Sequence, residues 1–161
     1  MARAPRSDAD GASVWEVWRS WLEMADESMW AAATAEDVGC RRPAISRYYY
    51  AAYQAVSAVL LYRNIPRPTI DRVEREAWSH DLTPDLVRDH FVPVCRSRDR
   101  RNDLAHRLGT LYKMRLIADY VSSAALTESN LADARRSAGI LVHFATTVLP
   151  KGTSRSGEGT T

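Results

Sequence analysis

Between Val14 and Leu149 apolar residues recur at three- and four-residue intervals in four long blocks, and no stretch shows the two-residue alternation of a half-buried strand. That spacing constrains the chain more than any other feature, because residues at i, i+3, i+4 and i+7 form a continuous stripe only on a helix. The last block is the cleanest: Leu131, Ala134, Ala138, Leu141, Val142, Ala145, Val148 and Leu149, with Thr127 as its cap and Pro150 as its stop. The first block carries two neighbouring stripes, Trp15, Trp18, Leu22, Ala25 and Met29 beside Val14, Val17, Trp21 and Met24. Together they cover about half the circumference, and a face that wide packs against two neighbours, a second subunit among the candidates.

Gly39 and Pro43 separate this helix from a second, predicted over Ala44 to about Asn64, whose stripe is Ile45, Tyr48, Tyr49, Ala52, Val56, Val59 and Leu60. Tyr48, Tyr49, Tyr50 and Tyr53 cannot all point one way, and Tyr50 is the one expected to face out of the stripe. Pro66 and Pro68 close the helix; Thr69 then caps a short one to about Trp78, and Thr83–Pro84 opens another through Phe91. Pro93 lies before or in the first turn of the long helix Arg98–Tyr120, whose apolar line is Leu104, Ala105, Leu108, Leu111, Tyr112 and Ala118. Gly109 and Thr110 mark a point where a neighbouring helix can approach closely. The expectation is an all-α, up-and-down bundle of four long helices with short connecting helices. One domain spans residues 13–150, between a disordered N-terminal tail, 1–12, and a flexible C-terminal tail, 151–161. A chain of 161 residues buries one sizeable core.

Composition removes several classes. No apolar run approaches a membrane span, and the arginines of MARAPRSDADG are not followed by an apolar h-region, so a cytoplasmic protein is expected. Cys40 and Cys95 stand alone, which argues against a disulfide framework or structural zinc and for two buried, reduced thiols. No carboxylate cluster has metal-ligand spacing, so neither metal nor cofactor is expected. The net charge is only +2, yet Arg88, Arg96, Arg98, Arg100, Arg101, Arg107, Lys113 and Arg115 crowd one segment.

Within that segment Arg101, Asn102 and His106 are the candidate catalytic residues. Asn102 and His106, four apart, share a helix face, whereas Arg101 and His106 differ by about 140° around the axis. One helix therefore presents half a site, and a two-fold mate would complete it. Histidine ordinarily titrates near neutrality and can exchange a proton with a ribose 2′-hydroxyl or a 5′-leaving oxygen, while the forked, permanently charged arginine suits a crowded phosphorane. Arg98, Arg100 and Arg107 are candidates for phosphate contacts. On the second helix Arg47 is either a solvated residue of the first turns or, with Arg41 and Arg42, part of a phosphate-gripping rim; Tyr50 packs in the core or stacks on a base. Arg115 and Asp119, four apart, read as a structural ion pair. His80 and His90 read as loop and helix-end residues and His143 as structural.

RNDLAH resembles the motif of the HEPN superfamily (higher eukaryotes and prokaryotes nucleotide-binding): an arginine, a polar residue, then histidine after four to six positions. SRYYYAAYQAVSAVLL, Ser46–Leu61, is similar to the Ser-Arg-x-Tyr-Tyr-Ala-Ala-aromatic second helix of one prokaryotic branch. LYKMRLIADY, Leu111–Tyr120, is similar to that branch's Leu-Tyr-x-x-Arg-x-x-Ala-Asp-Tyr signature. The resemblance covers roughly Trp15 to Leu149. It implies a helical bundle, a homodimer with Arg101, Asn102 and His106 at its interface and, as in active members, metal-independent RNA cleavage by a toxin–antitoxin or antiviral defence ribonuclease. The partners implied are an RNA substrate and an antitoxin, nucleotidyltransferase or defence complex. Members paired with a nucleotidyltransferase antitoxin often carry tyrosine two residues after the histidine; here Leu108 stands there. The branch also contains non-catalytic accessory and binding proteins, which is the alternative implied.

Overall fold

The computed structural model describes residues 14–151, with side chains described from Val17 onward. The tails expected at 1–12 and 151–161, Lys151 excepted, and the side chains of Trp15 in the first stripe and Val14 in the second, lie outside the described residues. The fold is all-α: α1 Val14–Asp37, α2 Arg41–Tyr62, α3 Thr83–His90, α4 Arg98–Tyr120 and α5 Glu128–Val148, with one small hairpin, β1 Thr69–Ile70 and β2 Val73–Glu74. Among the described residues no helix is long and apolar enough to cross a membrane.

Cross-helix bonds set the directions. Arg42 at the start of α2 reaches Ala118 at the end of α4, so these two run antiparallel. Arg41 pairs with Glu128 at the start of α5, so α2 and α5 run parallel, and Glu36 near the end of α1 pairs with Arg135 of α5. The four long helices thus run up, down, up, down, with α3 packed on α4. α2 is the centre: 13 of its 22 residues are buried, and Ala51, Ala52, Ala55, Ser57 and Ala58 keep it thin enough for α1, α4 and α5 to pack around it. Tyr48, Tyr49, Ile45 and Leu60 interlock with Leu104, Leu108 and Leu111 of α4 and Leu141 of α5 in the interior. The wide face of α1 meets two neighbours, α2 along its length and α5 more briefly, while Met24 and Trp30 remain exposed.

Helix ends follow local chemistry. Gly39, at φ +77°, closes α1: Cys40 N–H donates to Ala35 O at 2.7 Å and Gly39 N–H to Glu36 O at 2.9 Å. Nothing lies within 4 Å of a Cβ built there, so the cost of a side chain would come from backbone conformation alone. Asn64, at φ 54°, closes α2 by the same paired bonds. Thr127 and Asn130 cap α5 reciprocally, side chain to backbone in both directions.

Four expectations need correction. Thr69–Trp78 is not a helix. Asp71 and Arg72 both take left-handed φ values, 52° and 66°, which suit a two-residue hairpin turn and pair Thr69 with Glu74 and Ile70 with Val73. Thr83 does not cap α3; it is the helix's first residue, buried, with its hydroxyl donating to Ser79 O at 2.8 Å, and Leu82 occupies the cap. Gly109 is no close-approach point, since an added Cβ would sit 3.8 Å from Pro84 Cγ, an ordinary contact. Of the two free cysteines only Cys95 is buried; Cys40, in the short α1–α2 turn, is exposed.

Candidate functional site

The N-terminal half of α4 carries the predicted triad. Ser97 caps the helix by accepting Arg100 N–H at 3.2 Å, which sets the rotation of the first turns. That rotation turns Leu104, Ala105 and Leu108 inward and leaves Asn102 and His106 exposed one turn apart on the same edge. Arg101 falls near the inner stripe and is half-buried. Its Nε donates to Arg88 O at 3.1 Å, and its Nη1 donates to Cys95 O at 2.7 Å and Arg96 O at 2.8 Å. These bonds tie the end of α3 and the α3–α4 loop to α4, and they leave Nη2 as the one guanidinium nitrogen without a protein partner among the described residues. The flanking cations diverge. Arg100 lies 5.8 Å from the centre of the Phe144 ring on α5, Arg107 pairs with Asp103 at 2.8 Å, and Arg98 is exposed.

Arg47 and Tyr50 belong to a different place. Arg115 is nine residues beyond His106, about 14 Å farther along the α4 axis, and it donates from Nη2 to the Tyr50 hydroxyl at 2.8 Å. Its Nε pairs with Asp119 at 2.8 Å, as expected, and Asp119 accepts from Ser46 at 3.3 Å. The guanidinium also lies 5.4 Å from the Tyr50 ring centre and 5.3 Å from that of Tyr120, and the Arg47 guanidinium lies 6.0 Å from the Tyr50 ring centre. The two segments that resemble family signatures thus meet in one network, beside a groove of about 550 Å³ between α2 and the end of α4. Arg41 and Arg42 form no phosphate rim. Arg41 bonds Leu126 O and Glu128, and Arg42 donates five bonds to carbonyls at the end of α4 and in the following loop.

A third cluster surrounds His80, which local sequence did not single out. Its Nδ1 lies 2.5 Å from the Tyr49 hydroxyl, and its ring contacts Tyr49, Tyr50, Tyr53 and Tyr112 at centroid separations of 4.3–6.3 Å. The partners come from positions 49–53 and 112, so no spacing in the chain announces the cluster; a histidine beside Trp78 and Asp81 is the only trace. Burial pushes the Tyr49 phenol far above its ordinary range, with Tyr53 and Tyr112 adding to the rise, so the hydroxyl stays protonated. Burial also holds the His80 imidazole below its ordinary value, helped by Arg115 and opposed by Asp81.

This pair makes stability depend on pH. In the unfolded chain His80 takes up a proton near pH 6.5, whereas in the folded chain it does so only at lower pH, so between the two the unfolded chain binds more protons. The contribution is fully present above about pH 6.5 and is lost as pH falls from there through the lower folded value. Asp81, held low by the Ser79 hydroxyl, acts only below about pH 4. Urea midpoints measured from about pH 7.5 down to about pH 5.5 are expected to fall, and to fall less in His80→Gln; an identical decline in both proteins would remove His80 as the cause.

No protein-family model matches the chain, and no curated protein matches it in sequence.

Proposed function

We propose that the chain is a HEPN-type, metal-independent endoribonuclease of a toxin–antitoxin or antiviral defence system, acting as a homodimer in the cytoplasm with a composite site at the dimer interface. The observation that carries this reading is the exposed Asn102–His106 edge of α4, with Arg101 one residue ahead and held by three backbone carbonyls. A donor fixed before substrate arrives needs no reorganisation as charge develops, so Nη2 of Arg101 is suited to a phosphorane oxygen. His106 exchanges the proton of the 2′-hydroxyl or of the leaving 5′-oxygen, Asn102 orients the phosphate or the imidazole, and the 2′-oxygen attacks phosphorus to leave a 2′,3′-cyclic phosphate. Arg98, Arg100, Arg107, Arg47 and Tyr50 contribute phosphate and base contacts outside the reacting centre.

The test is incubation of the purified protein with RNA in EDTA. Cleavage leaving 2′,3′-cyclic phosphate ends is expected, with specific activity falling on dilution in step with dimer dissociation followed by light scattering. Full activity in a monomeric sample would overturn the composite site. A second reading rests on the same arginine: three of its donors are already committed to the chain, which favours a non-catalytic nucleotide- or partner-binding accessory subunit, bound to an antitoxin, nucleotidyltransferase or defence complex. That reading expects no cleavage and a stable complex on co-purification.

A further inference from the structure

We propose that the cavity beside His80 is a binding site for one uncharged, nucleoside-sized heteroaromatic compound, with the base edge on His80 and the base plane against the apolar wall of Ile70, Leu82 and Leu86. The site lies outside the Arg101–His106 half-site and does not depend on it.

The cavity has a volume of about 580 Å³ and lies between the hairpin, the 75–82 segment and α3, lined by Ile70, Tyr53, Trp78, His80, Leu82 and Leu86, with Arg75 and Glu76 among its polar groups. That volume is in the roughly 300–1,000 Å³ range of small-molecule sites, and its lining follows their usual pattern of apolar walls with few polar groups. The walls are fixed in advance. The Tyr53 hydroxyl donates to Trp78 O at 2.5 Å, Trp78 Nε1 donates to Pro66 O at 3.0 Å, and His80 Nδ1 is engaged by the Tyr49 hydroxyl. Tyr53 and Trp78, only 6% and 7% exposed, thus form a fixed floor, which reduces the ordering a ligand must bring about.

The choice of ligand follows from what is left unpaired. With Nδ1 engaged, Nε2 is the remaining ring nitrogen of His80, a donor in one tautomer and an acceptor in the other. A nucleobase edge carries donors and acceptors side by side and pairs with either, which a plain phenyl ring cannot do. Arg75 and Glu76 bring one charge of each sign, so the lining has no net charge for a phosphate to use.

The experiment titrates adenosine, guanosine, cytidine and uridine into the full-length protein and follows the imidazole signals by NMR, His80 being assigned by its absence in His80→Gln. At least one nucleoside is expected to move the His80 signal saturably while leaving His143 in place. Calorimetry should then find binding about tenfold or more weaker in His80→Gln and in Leu86→Phe, which narrows the cavity. Ile70→Trp, at an exposed hairpin position, is a second way to narrow it should Leu86→Phe fold poorly. The proposal is overturned if no nucleoside moves His80 at millimolar concentration, if the folded variants bind as tightly as wild type, or if indole or phenol binds as tightly as every nucleoside. His106→Ala should keep nucleoside binding intact, so loss of RNA cleavage and loss of this site are separately visible.

Discussion

Replacing His106 with alanine is expected to slow RNA cleavage by about 10²- to 10⁴-fold, the usual contribution of a general acid or base, with the thermal midpoint essentially unmoved. His106 is exposed and is not among the core residues, so its removal takes away the proposed proton carrier and little packing. Arg101→Ala gives a useful contrast. It removes the proposed phosphate contact and also the three carbonyl bonds that join α3 and its loop to α4, so activity and midpoint should fall together. Rates on a defined RNA in EDTA, set beside thermal melts of the same samples, separate the two effects. Wild-type products at the wild-type rate from His106→Ala would end the catalytic reading and leave the accessory one.

The largest loss of stability outside the apolar core is expected from Arg42→Ala. The Arg42 guanidinium donates to the carbonyls of Ile117, Ala118, Val121, Ser122 and Ala124 at 2.6–3.3 Å, closing the end of α4 and the start of the α4–α5 connection with one side chain. Hydrogen bonds to a charged group contribute about 1.5–3 kcal/mol each at best, but three of these acceptors are exposed and water replaces part of the loss. The expected cost is therefore about 2–4 kcal/mol rather than the sum. In a domain of this size that lowers the melting midpoint by roughly 10 °C. Arg42→Lys should recover little, because an ammonium offers a compact point charge instead of a fork spanning several carbonyls. Urea denaturation with an unchanged m-value and a loss under about 0.5 kcal/mol would show that the cluster is ornamental to stability.

Arg42 illustrates what sequence patterning cannot report. An arginine three residues after a turn glycine carries the same local signal whether it faces solvent, a phosphate or five carbonyls 75–82 residues away. Arg101 was similar: its spacing to His106 was visible, but its carbonyl partners depend on where α3 ends. The tyrosines were read more successfully, since four rings in six positions cannot share one face. Tyr50 is indeed the half-exposed one, and Tyr48, Tyr49 and Tyr53 are buried. The missed hairpin has a local cause. Asp71 suits the first left-handed position, but Arg72 stands where such turns favour glycine, so nothing marked the turn, and Thr69 resembled a helix cap.

By itself the sequence determined the all-α class, the bounds of α4, the caps and stops of α5, and the shared edge of Asn102 and His106. All of these follow from the 3.6-residue period and from side chains bonding backbone within a turn or two. Only the tertiary structure decided that Arg101 is pinned, that Arg42 closes α4, and that His80 is enclosed by tyrosines from two helices. Those arrangements depend on contacts 5 to 13 residues back from Arg101 across the α3–α4 loop, 75 to 82 residues from Arg42, and 31 residues between His80 and Tyr49. At such separations pairing is set by how whole helices pack around α2, and no local periodicity encodes it.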